Sequence, residues 1–174
     1  MADHVLETRF WLPRPRAAVF AFFADPHHLE RVSPPRARLR WLVPPPALGA
    51  GAVLDFRLSI LGVPTRWRMF VREWDPPYRF VDAQVHGPFA RWEHRHRFLE
   101  GPEDDRPTVR AGTWVEDRVT YRRGVAARND YAVFRKHFRR EMHTAMVTNL
   151  ARIGLLTERV RPRLTALGIT LPAV

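Results

Sequence analysis

Two histidines carry the first chemical signal in this sequence. They stand in GPFARWEHRHRF (residues 87–98), where strict alternation from Ala90 puts Trp92, His94, His96 and Phe98 on one face of a strand and Arg91, Glu93, Arg95 and Arg97 on the other. The charged face belongs in water. The other face should be dry, and imidazoles at i and i+2 of a dry face admit three chemistries. They can hold a metal, because both rings point the same way. They can serve as acid and base, because histidine titrates near neutral pH and a carboxylate would orient it. They can form the polar end of a mostly apolar binding site. Asp117 and Tyr121 are the candidates to complete the set, since they share a face with Val115 and Val119 in TVRAGTWVEDRVTY (108–121), the next strand.

Spacing alone makes metal binding the weakest of the three. Two histidines without an assured third ligand are common in packed cores, where each needs only a hydrogen-bond partner. The expectation is therefore no metal, even with Asp117 as a possible third ligand. An enzyme would use His94, His96 and Asp117 for proton transfer. A binding protein would set His94, His96, Asp117 and Tyr121 as the polar end of a site whose apolar part is Trp67, Met69, Trp92, Phe138, Met142 and Met146. A filled core, in which histidine and aspartate satisfy each other, accounts for the same residues. No Ser–His–Asp order, phosphate loop or HExxH motif is present, and no cofactor is implied.

The elements that must position these groups follow from periodicity. HVLETRFWL (4–12) alternates and predicts a first strand, ended by Pro13 and Pro15. RAAVFAFFAD (16–25) and HHLERVS (27–33) predict two short helices separated at Asp25-Pro26. Strands are then expected at 37–43, 52–60, 65–74, 78–86, 90–100 and 108–121, joined by close turns, which implies an antiparallel meander. In the second of these Leu54, Phe56, Leu58 and Ile60 share a face. In the third Trp67, Met69 and Val71 oppose Arg66, Arg68 and Arg72. The stretch 78–86 has no purely apolar face. From about Arg128 the period becomes helical, with Tyr131, Phe134, Phe138, Met142, Ala145, Met146, Asn149 and Ile153 in one stripe to about Leu156. An α+β domain follows, with about six to seven strands curved round one long helix, and the space between them is the expected cavity.

Particular stretches resemble the START-like, or helix-grip, superfamily, which includes the polyketide cyclase/dehydrase and lipid-transport families (SRPBCC). VFAFFADPHHLERVSPP (19–35) is similar to its first helix pair, GVPTRWRMFVREWDPPYRFVDAQVHGPFARWEHRHRF (62–98) to the central hairpins of an uncharacterised bacterial subgroup, and EDRVTY (116–121) to its last strand. The resemblance spans roughly residues 4–122. It implies a helix-grip fold with a hydrophobic cavity, a single domain over residues 1–158, and a C-terminal tail at 159–174. It implies no single activity, because one fold hosts many.

Bulk composition bounds the rest. The 174 residues include no cysteine, which excludes disulfides, thiol catalysis and cysteine zinc sites. No apolar run is long enough to span a bilayer. The start MADHVLETRFWLP is acidic where a secretory signal is basic, so a cytoplasmic protein is expected. The formal net charge is +11, and Lys136 is the only lysine among 29 basic residues. That excess admits an acidic partner, but no basic block or nucleic-acid motif appears, so a solvated arginine-rich face is expected and nucleic acid is not. The partner expected is a small hydrophobic or amphipathic molecule. Second comes a cyclase or dehydratase activity, and third an interaction module that uses the basic outer surface.

Overall fold

The computed structural model describes residues 2–33, 37–60, 63–102 and 111–123. The expected long helix and the tail at 159–174 lie outside the described residues, and with them Phe138, Met142 and Met146. Seven strands are present in chain order: β1 (His4–Leu12), then helices α1 (Arg16–Phe23) and α2 (His28–Val32), then β2 (Arg40–Trp41), β3 (Val53–Ile60), β4 (Val63–Asp75), β5 (Arg79–His86), β6 (Phe89–Gly101) and β7 (Gly112–Arg123). They form one antiparallel sheet in the order β1-β7-β6-β5-β4-β3-β2. The first strand pairs with the last, so the chain crosses from one sheet edge to the other through α1 and α2. This is the curved helix-grip sheet with two short helices after the first strand.

Local chemistry explains the boundaries. The Pro15 carbonyl accepts the first helical hydrogen bonds, from Ala18 and Val19, and Asp25-Pro26 ends the first helix because proline cannot continue it. Two expected strands are shorter than their patterns. The one expected at 37–43 pairs only at Arg40–Trp41. Arg38 has a positive φ of 45°, which breaks extension before it, and Pro44, Pro45 and Pro46 remove donors after it. The last strand begins at Gly112, where its pairing with Gly101 ends, so Ala111 is exposed and Thr113 brings the first buried side chain instead. β4 is longer than expected and changes register between Val71 and Glu73. That bulge passes the inward position from the odd series, Trp67, Met69 and Val71, to Trp74.

The inner face of the sheet buries two apolar clusters. In one, Phe20 of α1 meets Trp74, Phe80 and Phe98 edge-on at ring separations of 5.2, 5.9 and 5.3 Å, beside Leu12, Val19 and Val115. The other joins Leu6, Leu54, Phe56, Trp67, Met69, Phe89, Trp92, Val119 and Tyr121. Along β6 the order is Trp92, His94, His96, Phe98, so the two histidines fall between the clusters. The outer face is wet and ion-paired. Arg91 meets Asp3 and Glu93, Arg97 meets Glu116, Arg72 meets Glu93, and Arg118 meets Glu7.

Candidate functional site

Three central strands bring the polar groups together. Alternation turns His94 and His96 inward with Trp92 and Phe98, while Arg91 and Arg97 are exposed and Arg95 is half-buried. Pairing with β7 sets His96 opposite Asp117 and Trp92 opposite Tyr121. Pairing with β5 sets Phe80 opposite His96 and Asp82 opposite His94. The result is a cluster of two imidazoles and two carboxylates in which His96, Asp82 and Asp117 are buried at 8%, 8% and 7% exposure and His94 is half-buried. The Phe80 ring stacks on His96 with a centroid separation of 4.2 Å, and the His94 and His96 rings lie 3.8 Å apart.

The contacts inside the cluster are close but poorly directed. His96 Nδ1 lies 2.7 Å from Asp117 Oδ1, and His96 Nε2 lies 3.4 Å from Asp82 Oδ2. His94 Nε2 lies 3.6 Å from the same Asp117 oxygen. Yet His96 Nδ1, His94 Nε2, Asp117 Oδ1 and Asp82 Oδ1 are all buried without a well-aligned hydrogen bond among the described residues. The 2.7 Å approach is therefore an ion pair whose ring N–H points off the oxygen. Buried polar atoms are normally satisfied, so several orphans in one place call for an explanation. A fifth lies nearby on the apolar side, since the buried Trp67 Nε1–H has no acceptor among the described residues.

Charge settles the protonation of the central ring. Burial works against a charged His96, but the Asp117 carboxylate beside it, joined by Asp82, outweighs burial and raises the ring to about 9. Burial likewise works against ionised Asp117, and the positive His96 with His94 outweighs it, holding the carboxyl well below the usual range. Both directions favour a charged His96 facing an ionised Asp117 in this arrangement.

The residues predicted from sequence divide cleanly. His94, His96 and Asp117 converge as expected. Trp67, Met69, Trp92 and Tyr121 are buried together in the neighbouring apolar cluster, where the Trp67 and Trp92 rings meet edge-on at 5.0 Å. Tyr121 is fully buried, with its ring beside those of Phe89, Trp92 and His4. Sequence reasoning missed Asp82. Its one signal was a position two residues from Phe80, on the same side of a strand whose faces are both mixed.

Comparison with known proteins follows the geometry. Residues 12–149 match the family model described as polyketide cyclase / dehydrase and lipid transport. No curated protein matches the sequence. Among solved structures, TTHA0849 from Thermus thermophilus is similar at a TM-score of 0.65 and 18% identity, covering 87% of this chain and 99% of that one. A START superfamily protein from Mycobacterium smegmatis is similar at a TM-score of 0.61 and 10% identity, covering 86% and 99%. Ginseng major latex-like protein 151 from Panax ginseng is similar at 0.60 and 12%, covering 88% and 98%. At these identities the likeness shows the fold.

Proposed function

The chain belongs to the polyketide cyclase / dehydrase and lipid transport family, and we propose that it binds a small hydrophobic or amphipathic molecule, as a cytoplasmic carrier or sensor. The site is a cavity between the sheet and the helix expected from about 128 to 156. Trp67, Met69 and Trp92 from the sheet, with Phe138, Met142 and Met146 from the helix, form its apolar lining. His94, His96, Asp117 and Tyr121 form its polar end.

One observation carries this reading. A buried aromatic wall adjoins a polar cluster, and both hold polar atoms with no directed partner among the described residues: Trp67 Nε1 on the wall, and His94 Nε2 and Asp82 Oδ1 in the cluster. A guest with an apolar body and one or two polar atoms is the kind of molecule that would satisfy both. A cyclase or dehydratase reaction with a His/Asp acid–base pair is the alternative. The raised His96 bears against it, because a ring that keeps its proton to about 9 is a poor base at neutral pH. An interaction module is less favoured, because many outer-face arginines are already paired with acids.

Titration with anilinonaphthalene sulfonate tests the proposal. The protein is expected to bind the probe saturably with a blue-shifted emission, and Met142→Trp is expected to abolish binding while leaving the melting temperature unchanged, because the larger ring fills empty volume. No binding by the parent protein, together with a sharply lowered melting point for Met142→Trp, would mean a packed core and no cavity. That variant would then be overpacked by about 1–3 kcal/mol.

A further inference from the structure

We propose that Asp82, His94 and His96 form a binding site for a single divalent first-row metal ion of the zinc type. The site draws on two of the atoms that the guest reading uses, His94 Nε2 and Asp82 Oδ1, but needs no guest to form. Among the described residues these three are the one group of possible metal-binding side chains whose donor atoms all lie within 4.8 Å of one another. Two imidazoles and a carboxylate are a common zinc donor set, and three protein donors leave a fourth position for water or another ligand.

The distances separate inner from outer partners. Two donors on one tetrahedral zinc, with bonds of about 2.0 Å, sit roughly 3.3 Å apart. His96 Nε2 and Asp82 Oδ2 are 3.4 Å apart, which suits two donors to one ion and is long for a charged hydrogen bond. His96 Nδ1 and Asp117 Oδ1, at 2.7 Å, are too close to share an ion. At that separation Asp117 is placed as an outer carboxylate, which a small turn of the ring would bring into line with its N–H, leaving the other nitrogen free to coordinate. Asp117, the third ligand that spacing suggested, is thus a positioning residue, and Asp82 takes the ligand role.

Independent features agree. Among the described residues Asp82 Oδ1 and His94 Nε2 are buried without a hydrogen bond, which coordination would relieve. The ion pairs of Asp82 and Asp117 among the described residues run only to His94 and His96. A dication would neutralise both carboxylates without requiring either ring to hold a second proton. Metal and proton therefore compete for the same place on His96. The donors also stand on adjacent paired strands, with Asp82 directly opposite His94, so the site is built on the rigid part of the fold.

The test uses the full chain without a histidine tag, stripped with chelator and titrated with zinc chloride against a chromophoric competitor. One equivalent is expected to bind at micromolar affinity or tighter, and cobalt(II) is expected to give the visible bands of a tetrahedral nitrogen–oxygen site. Zinc is expected to raise the melting temperature of the parent protein. Asp82→Asn and His94→Gln should each weaken zinc at least about tenfold, and Asp117→Asn about 10–100-fold. His27→Ala, which removes an exposed histidine beside Asp25, should leave affinity unchanged. Failure of the parent to retain zinc against the competitor would overturn the site. So would undiminished binding by both Asp82→Asn and His94→Gln, or its loss in His27→Ala. If those variants do not fold, the parent's cobalt spectrum decides, and absence of the visible bands overturns the proposal. Probe binding by the same chelated protein reads the guest site separately, so the two ideas fail independently.

Discussion

Replacing His96 with leucine should cost the fold several kcal/mol, and replacing its acidic partners as well should return most of that cost. The reasoning starts from burial. His96, Asp82 and Asp117 are 8%, 8% and 7% exposed, and the His96 ring is the nearest charge partner of both carboxylates, at 3.4 and 2.7 Å. Leucine keeps apolar bulk against Phe80 but removes that partner. Asp117 keeps only His94 at 3.6 Å, and Asp82 has no other ion pair among the described residues. Breaking a buried pair from one side costs about 3–5 kcal/mol, whereas exchanging the whole set for apolar residues is often neutral or stabilising by about 1–4 kcal/mol. At about 2–4 °C per kcal/mol for a chain of this size, His96→Leu should melt roughly 6–20 °C below the parent. The triple change His96→Leu with Asp82→Val and Asp117→Val should climb back to within a few degrees, since valine suits a strand. Circular dichroism melts at neutral pH, on chelator-treated protein so that no ion confounds the comparison, measure both. A single variant that melts with the parent, or a triple variant that melts below the single, would refute the argument. The first would mean that His96 is not needed to offset the carboxylates, and the second that the carboxylates stabilise the sheet through other partners.

Two further outcomes test the sheet itself. A Cβ at Gly112 would run into the Trp11 ring and the Leu12 carbonyl, whereas one at Gly101 would meet the Trp114 ring at an ordinary 3.7 Å; in thermal melts Gly112→Ala should therefore lose about 1–3 kcal/mol and Gly101→Ala about 0.5 kcal/mol or less. The Arg66 guanidinium, bonded to Asp55 through Nε and Nη2, outweighs burial and holds that carboxyl below its ordinary 3.8. A depressed folded value contributes stability above the ordinary one and loses it as pH falls through the folded value, so Asp55→Asn should melt below the parent at neutral pH and match it in strong acid.

Much of this arrangement was legible because a strand has a period of two. Once Trp92 and Phe98 are taken as core, His94 and His96 must follow them inward, and the same rule carries Asp117 in with Val115 and Val119. The rule failed at three places with separate physical causes. In β2, prolines and a positive φ cut a strand whose alternation was sound. In β4, a bulge between Val71 and Glu73 shifted the inward series to Trp74. In β5, Phe80, Val81 and Asp82 are all buried, so burial on both faces erased the contrast that periodicity reads. That last failure hid Asp82, the one ligand candidate that depends on knowing which strand lies beside β6.

Position explains why a costly cluster sits where it does. The Phe20, Phe80 and Phe98 rings form a dry plug under α1, and Trp67, Trp92 and Tyr121 form the wall beyond it. The polar band lies at their junction, on three adjacent strands that are each paired on both sides. A polar group placed there cannot reach water easily, which makes it expensive to the fold and strong toward anything that reaches it. The fold already has a working core on either side of the band. Apolar residues at Asp82, His96 and Asp117 would join those cores into one, at lower cost than two buried carboxylates. What distinguishes this sequence from a simple packed sheet is that it keeps both carboxylates, with an imidazole between them and polar atoms that have no directed partner among the described residues.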